Sequence, residues 1–156
     1  MYKRQLREYA EEALKECREN QAGEALEQAV LANIVSTGLV SLLVLDEYNC
    51  AIAHSVYYGL VLLPGFEEEN LHGDVVAYGV LVQLMVDGEK DKAGEMKDFL
   101  QKLGIRTTLA EMGAPTGREA LSAVLKETVT GPDMKHIPYE VTEDMIYEAM
   151  CRVEAL

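Results

Sequence analysis

Apolar residues recur at every third or fourth position along almost the whole chain, and glycine and proline turn signals interrupt the recurrence, which is the pattern of successive amphipathic helices. Leu6, Ala10, Ala13, Leu14 and Cys17 form the first stripe, with Glu and Lys on the other face, and Gly23 breaks or starts the next element. Residues 24–45 continue the spacing. Residues 48–62 and 72–87 predict two more helices, separated by Pro64-Gly65 and the acidic run Glu67-Glu68-Glu69. Residues 92–103 carry Ala93, Met96, Leu100 and Leu103 on one side and stop at Gly104, which takes the left-handed conformation cheaply. Thr116-Gly117-Arg118-Glu119 fits a capping box before a helix over 120–129, and Thr142 is placed to cap the last helix. Only residues 105–109 have strand character. The expected fold class is all-α, a helical bundle.

A chain of 156 residues suits one domain and buries on the order of 70% of the surface its unfolded form exposes, so a proper core is expected. The longest apolar stretch, residues 30–45, is interrupted by Asn33, Ser36, Thr37 and Ser41 and falls short of the roughly 20 residues of a membrane span. It reads as a central helix buried on nearly all sides. The formal net charge of −13 argues against nucleic acid, because no basic stripe is available to release phosphate counterions. Cys17, Cys50 and Cys151 are odd in number, widely spaced and without a C-x-x-C pair, which points away from a disulfide framework or thiolate zinc site and fits a reducing cytoplasm. No membrane partner is expected.

Two of the three histidines, His54 and His72, lie on apolar helical segments on either side of the Pro64-Gly65 turn, an arrangement that can bring two imidazoles to one point. Neutral imidazole is the commonest side-chain metal ligand, although a buried histidine more often only satisfies a hydrogen bond. His136 sits in a loop, where a histidine is usually solvated. Glu67 to Glu69 read as a solvated surface that favours the helix dipole. Asp74, beside His72, could orient a ligating imidazole or simply cap the first turn of its helix. Gly38, Gly59, Gly73 and Gly79 fall inside helices, where each costs up to about 1 kcal/mol relative to alanine and asks for a reason. Gly59 and Gly73 could leave room for a ligand; close helix contact is an equal reading for Gly38 and Gly79.

The words around the histidines are more specific than the histidines themselves. Ala51-Ile52-Ala53-His54 with Gly59 five residues on, then Leu71-His72-Gly73-Asp74-Val75-Val76-Ala77-Tyr78-Gly79, then Thr108-Leu109-Ala110-Glu111-Met112-Gly113, then His136-Ile137-Pro138-Tyr139 follow one another in order. Over roughly residues 25–155 this series resembles the C-terminal helical metal-binding domain of the iron-containing alcohol dehydrogenase superfamily, in its glycerol dehydrogenase-like branch.

That resemblance implies a divalent metal bound by His54 and His72, with zinc the first choice and Fe2+ the alternative, and a third, aspartate ligand from an earlier helix that has no match here. It implies NAD as hydride acceptor, held mainly by an N-terminal nucleotide-binding domain, whereas this chain carries no Gly-x-Gly-x-x-Gly phosphate loop. It also implies a small polyol or alcohol substrate and a homo-oligomer in the intact enzyme. Members of the superfamily often place a second histidine three or four residues after the first ligand; Tyr57 and Tyr58 stand there instead, as candidates for the substrate pocket. The expectation is therefore the helical, metal-binding half of a dehydrogenase, inactive by itself. The alternative is a standalone non-catalytic helical binding module derived from that domain.

Met1-Tyr2-Lys3-Arg4-Gln5 matches the translation, from a GTG start, of the transposase end sequence used in sequencing-library adapters. Residues 1–5 are accordingly expected to be a processing scar and residues 6–156 the helical domain, with a basic N-terminal tail as the alternative.

Overall fold

The computed structural model describes residues 2–45 and 50–156, with side chains from Gln5 onward; Met1 and Tyr48, which the expected scar and the expected start of the His54 helix include, lie outside the described residues. The described residues contain helices and turns and no strand, as the periodicity predicts. Two compact units divide the chain, residues 1–49 and 50–156.

In the first unit, α1 (Tyr2–Arg18) packs against α2 (Glu24–Leu31), which runs on through a π-helical turn (Ala32–Ser36) into α3 (Thr37–Leu43). Ala13, Ala25 and Ala32 are the buried residues of this pairing, and their size lets the helices approach closely. The large apolar residues point elsewhere. Ile34 is 69% exposed, Leu42 83% and Leu43 82%, so the expectation that residues 30–45 form a helix buried on all sides is wrong for this unit. Only the alanine-bearing side meets α1. Glu24–Leu43 is moreover a 20-residue helix, long and apolar enough by length and composition to cross a membrane, so the expected shortfall in length does not hold.

The second unit is built around α6 (His72–Val86), which packs against α4 (Ile52–Leu60), α7 (Lys90–Lys102) and α9 (Glu143–Glu154), while α4 also packs against α8 (Ser122–Thr130). Val75, Tyr78, Leu81, Val82 and Met85 form a fully buried stripe along one side of α6, and most of the remaining positions are half-buried. Each fully buried aliphatic side chain contributes roughly 1.5–3 kcal/mol, so this helix anchors the unit. A short turn of helix, α5 (Phe66–Glu69), precedes it; Phe66 is buried, and Glu67, Glu68 and Glu69 face solvent as expected.

Glycine ends two of these helices by the same device. Gly104 has φ +78°, Ile105 N–H bonds to Leu100 O at 3.0 Å and Gly104 N–H to Gln101 O at 2.9 Å, the paired closure that satisfies the last carbonyls of a helix. Gly88 closes α6 in the same way. Thr142 caps α9, accepting from Met145 N–H at 3.3 Å.

Two local expectations fail. Residues 105–109 are extended and then turn, with no partner strand among the described residues. Thr116 caps no helix, because α8 starts later, at Ser122, and residues 117–121 form a turn. The reciprocal cap forms at Thr108-Leu109-Ala110-Glu111 instead, where Glu111 N–H donates to Thr108 Oγ1 (3.2 Å) and Glu111 Oε2 accepts from Thr108 N–H (3.1 Å) and Thr107 N–H (2.8 Å).

Candidate metal centre

The site is set by where two helices begin. Ala51 is extended and the chain turns helical at Ile52, so His54 stands in the first turn of α4; Leu71 is extended and His72 is the first residue of α6. Both helix starts project backbone N–H groups and the positive end of a helix dipole, surroundings that suit neutral imidazole and an electron-rich ligand atom.

Glycine lets α4 and α6 come close enough. A Cβ added at Gly79 would lie 2.3 Å from Ala53 O and 2.8 Å from Ala53 Cα, so the backbones touch one residue before His54. Gly59 does the same between α4 and α8, where a Cβ would meet Thr128 Oγ1 and Val124 O at 2.6 Å. Gly59 is therefore a packing glycine and leaves no room for a ligand, contrary to expectation. Gly73 faces open space, and Gly38 meets no neighbour within 4 Å.

The two imidazoles converge. Their ring centroids are 5.9 Å apart with planes tilted at 47°. A zinc–nitrogen bond of about 2.0–2.1 Å puts the metal about 3.2 Å from a ring centre, so two tetrahedrally disposed imidazoles have centres about 5 Å apart, close to the observed spacing. His54 is half-buried and His72 exposed. Burial pushes the His54 imidazole below its ordinary pKa, and the neighbouring His72 adds to the effect, while the charge of Asp133 opposes it. His54 is thereby kept in the neutral form that binds metals.

Tyr57 lies beside this pair. Its ring stands edge-on to His72 with centroids 4.3 Å apart, and Tyr58 is 5.5 Å from Tyr57 and 42% exposed. Tyr57 O–H donates to Glu67 Oε1 at 3.2 Å, and burial first, then the Glu67 charge, raises its phenol pKa. Asp74 is engaged by Arg106, whose Nη2 is 3.7 Å from Asp74 Oδ2 and also donates to Glu69 O at 3.3 Å. This bridge ties the start of α6 to the end of α5. His136, expected to be solvated, is half-buried with its Nε2 shielded from solvent. Sequence reasoning passed over Asp133, whose Oδ2 is shielded from solvent; a lone aspartate in a Gly-Pro-Asp turn carries no periodic signal.

No family model matches the chain. Similarity to individual proteins is extensive. The chain is 32% identical over 148 residues to hydroxycarboxylate dehydrogenase A of Escherichia coli strain K12, covering 94% of this chain and 41% of that protein. It is 32% identical over 137 residues to glycerol dehydrogenase of Citrobacter freundii, covering 85% of this chain and 36% of that protein. The crystal structure of glycerol dehydrogenase from Schizosaccharomyces pombe superposes on 99% of this chain and 39% of its own with a TM-score of 0.85 at 27% identity. The chain belongs to the iron-containing alcohol dehydrogenase superfamily, in its glycerol dehydrogenase-like branch. It spans about two-fifths of the length of these superfamily members.

Proposed function

We propose that this chain is the metal-binding half of an NAD-dependent polyol or alcohol dehydrogenase, with His54 and His72 as two ligands of a divalent ion, zinc first and Fe2+ second. The convergence of these two imidazoles at 5.9 Å carries the reading. Nitrogen donors suit both metals. Among the described residues no third His, Cys, Asp or Glu completes the set, so the proposal takes the third ligand from outside them. Two imidazoles and one carboxylate would leave coordination positions open for substrate. When bound, the ion would act as a Lewis acid that lowers the pKa of the substrate hydroxyl and orients it for hydride transfer to NAD.

The chain's own residues have distinct parts in this reading. His54 and His72 hold the ion and, by the close crossing of α4 and α6, hold it rigidly. Tyr57 offers a phenol beside His72 that can hydrogen-bond a polyol hydroxyl, but its raised pKa makes it a poor proton relay near neutrality. Tyr58 lines the exposed side. Asp74, through Arg106, fixes the start of α6 and hence the His72 backbone. NAD would be held mainly by a nucleotide-binding domain in the remaining three-fifths of a full-length enzyme, which would work in the cytoplasm as a homo-oligomer. By itself this chain should not oxidise glycerol or propanediol.

Zinc titration by calorimetry on this chain, His54→Ala and His72→Ala tests the ligand assignment. Weak binding that both substitutions abolish supports it. Binding unchanged in both sinks it.

A further inference from the structure

We propose that Glu67 is the positioning residue of Tyr57: its carboxylate accepts the phenol proton and so holds the ring edge-on against His72, with the phenol oxygen turned into an acceptor toward any bound molecule. The bearing of this on substrate rests on the metal reading above, but the contacts themselves belong to the metal-free chain.

Tyr57 stands one helical turn after His54 on α4, so the two share a face of that helix, and its ring reaches across to α6, where it lies 4.3 Å from the His72 ring centre at an interplanar angle of 77°. That contact is closer than the 5.9 Å between the two imidazoles. An aromatic edge contact alone leaves a half-buried tyrosine two side-chain torsions to turn about. The hydroxyl end settles them. Tyr57 O–H donates to Glu67 Oε1 at 3.2 Å, so the ring is fixed at one end by a carboxylate and along its body by His72. Hydrogen bonds to an ionised acceptor are stronger than neutral ones, which matters at an exposed site where water competes.

Glu67 itself sits on a backbone held from several sides, although its side chain faces solvent. Gly65, at φ +76°, turns the chain into α5, and Phe66 next to Glu67 is buried. Asn70, also buried, donates through Nδ2 to Phe66 O at 2.9 Å and to Met112 O at 3.2 Å, and Arg106 donates to Glu69 O at 3.3 Å. These bonds anchor both ends of a single helical turn. Little backbone freedom is therefore left to lose when the carboxylate takes the phenol proton, and of the three consecutive glutamates it is Glu67 whose side chain meets Tyr57. A phenol has one proton to give. While Glu67 accepts it, the oxygen can only accept from a molecule in the site, so a hydroxyl suits it and a bare carboxylate does not.

The experiment is NMR of the zinc-free chain, labelled with 13C in its tyrosine and histidine rings, above the histidine titration range. The wild type should show cross-peaks between the ring protons of Tyr57 and His72. Glu67→Ala should lose them and shift the His72 ring protons, whereas Glu67→Gln, whose amide carbonyl still accepts, should restore both. Tyr57→Phe keeps the ring without the hydroxyl and should also lose the contact with His72. Cross-peaks undiminished in Glu67→Ala overturn the proposal, as does a Glu67→Gln chain no better than Glu67→Ala, or a Tyr57→Phe ring that stays against His72. Shifts spread through the backbone amides of α5 and α6 in Glu67→Ala would make Glu67 a fold residue and overturn it too. Zinc titration keeps the two readings apart: a chain that binds no zinc undoes the metal reading, while the ring contacts of the zinc-free chain still decide the role of Glu67.

Discussion

Gly79 and Ala53 meet backbone to backbone: a Cβ at residue 79 would lie 2.3 Å from the Ala53 carbonyl oxygen. This crossing sits one residue from His54 and seven from His72, so the contact that packs the core also sets the distance between the imidazoles. Helix contact and site geometry are one constraint here.

Gly79→Ala should accordingly lower both stability and metal affinity. Overpacking costs about 1–3 kcal/mol. The gain in helix propensity returns at most about 1 kcal/mol. A lower thermal midpoint and weaker zinc binding are expected, whereas Gly73→Ala, which points into open space, should be neutral or stabilising. Equal midpoints for the two variants would contradict the close crossing.

Glu111→Ala removes the acceptor for the Thr107 and Thr108 N–H groups, and loss of such a cap costs about 0.5–2 kcal/mol. The Thr107 N–H first, then the Thr108 groups, hold the Glu111 carboxyl below its usual pKa. A depressed carboxyl contributes stability that is present above the unfolded value, roughly 4.3, and is lost as pH falls through the folded value. The urea midpoints of wild type and Glu111→Ala should differ at pH 7 and draw together by about pH 3.

The order of helices and the pairing of His54 with His72 were legible because both rest on local pattern: apolar spacing, turn residues and ordered words around each histidine. Burial of residues 30–45 was not legible. An apolar helix reads the same whether neighbours surround it or only one of its faces meets α1, since periodicity reports what a helix could bury and not what is present to cover it. The cap was misplaced because Thr116-x-x-Glu119 and Thr108-x-x-Glu111 have the same spacing, and tertiary packing around buried Thr107 and Leu109 chose between them.

Tyr78→Phe should be neutral or stabilising by up to about 1 kcal/mol. The ring is fully buried at the centre of α6, and its hydroxyl is shielded without a hydrogen-bond partner. Removing an unsatisfied polar atom while keeping the ring loses no bond and relieves desolvation. A drop in the thermal midpoint of several degrees would show that the hydroxyl is satisfied in solution.

His54 should make the chain less stable in mild acid. Burial, then His72, lowers its folded pKa below the unfolded value of about 6.5. Above the unfolded value both states are neutral and the full stability is present; as pH falls below it, the unfolded chain takes up a proton that the folded chain resists, and stability declines until the folded value is reached. The thermal midpoint should fall between pH 7.5 and 5.5 by more in the wild type than in His54→Gln. Identical pH slopes would mean that His54 titrates normally.

The chain should self-associate through its first unit. Val30, Leu31, Ile34, Val35, Leu39, Leu42, Leu43 and Leu45 are all more than 40% exposed along one helix and the residues just after it, a larger continuous apolar surface than soluble monomers usually carry. The net charge of −13 opposes association and should keep the assemblies small at low ionic strength. Raising salt screens that repulsion within a Debye length of about 8–10 Å and should shift the distribution toward larger species. Ile34→Asp with Leu42→Asp should return the chain to a monomer without unfolding the second unit, read by sedimentation velocity over a hundredfold concentration range together with circular dichroism. A wild-type chain that sediments as a single monomer throughout that range and binds no hydrophobic dye would show that this helix is covered in solution.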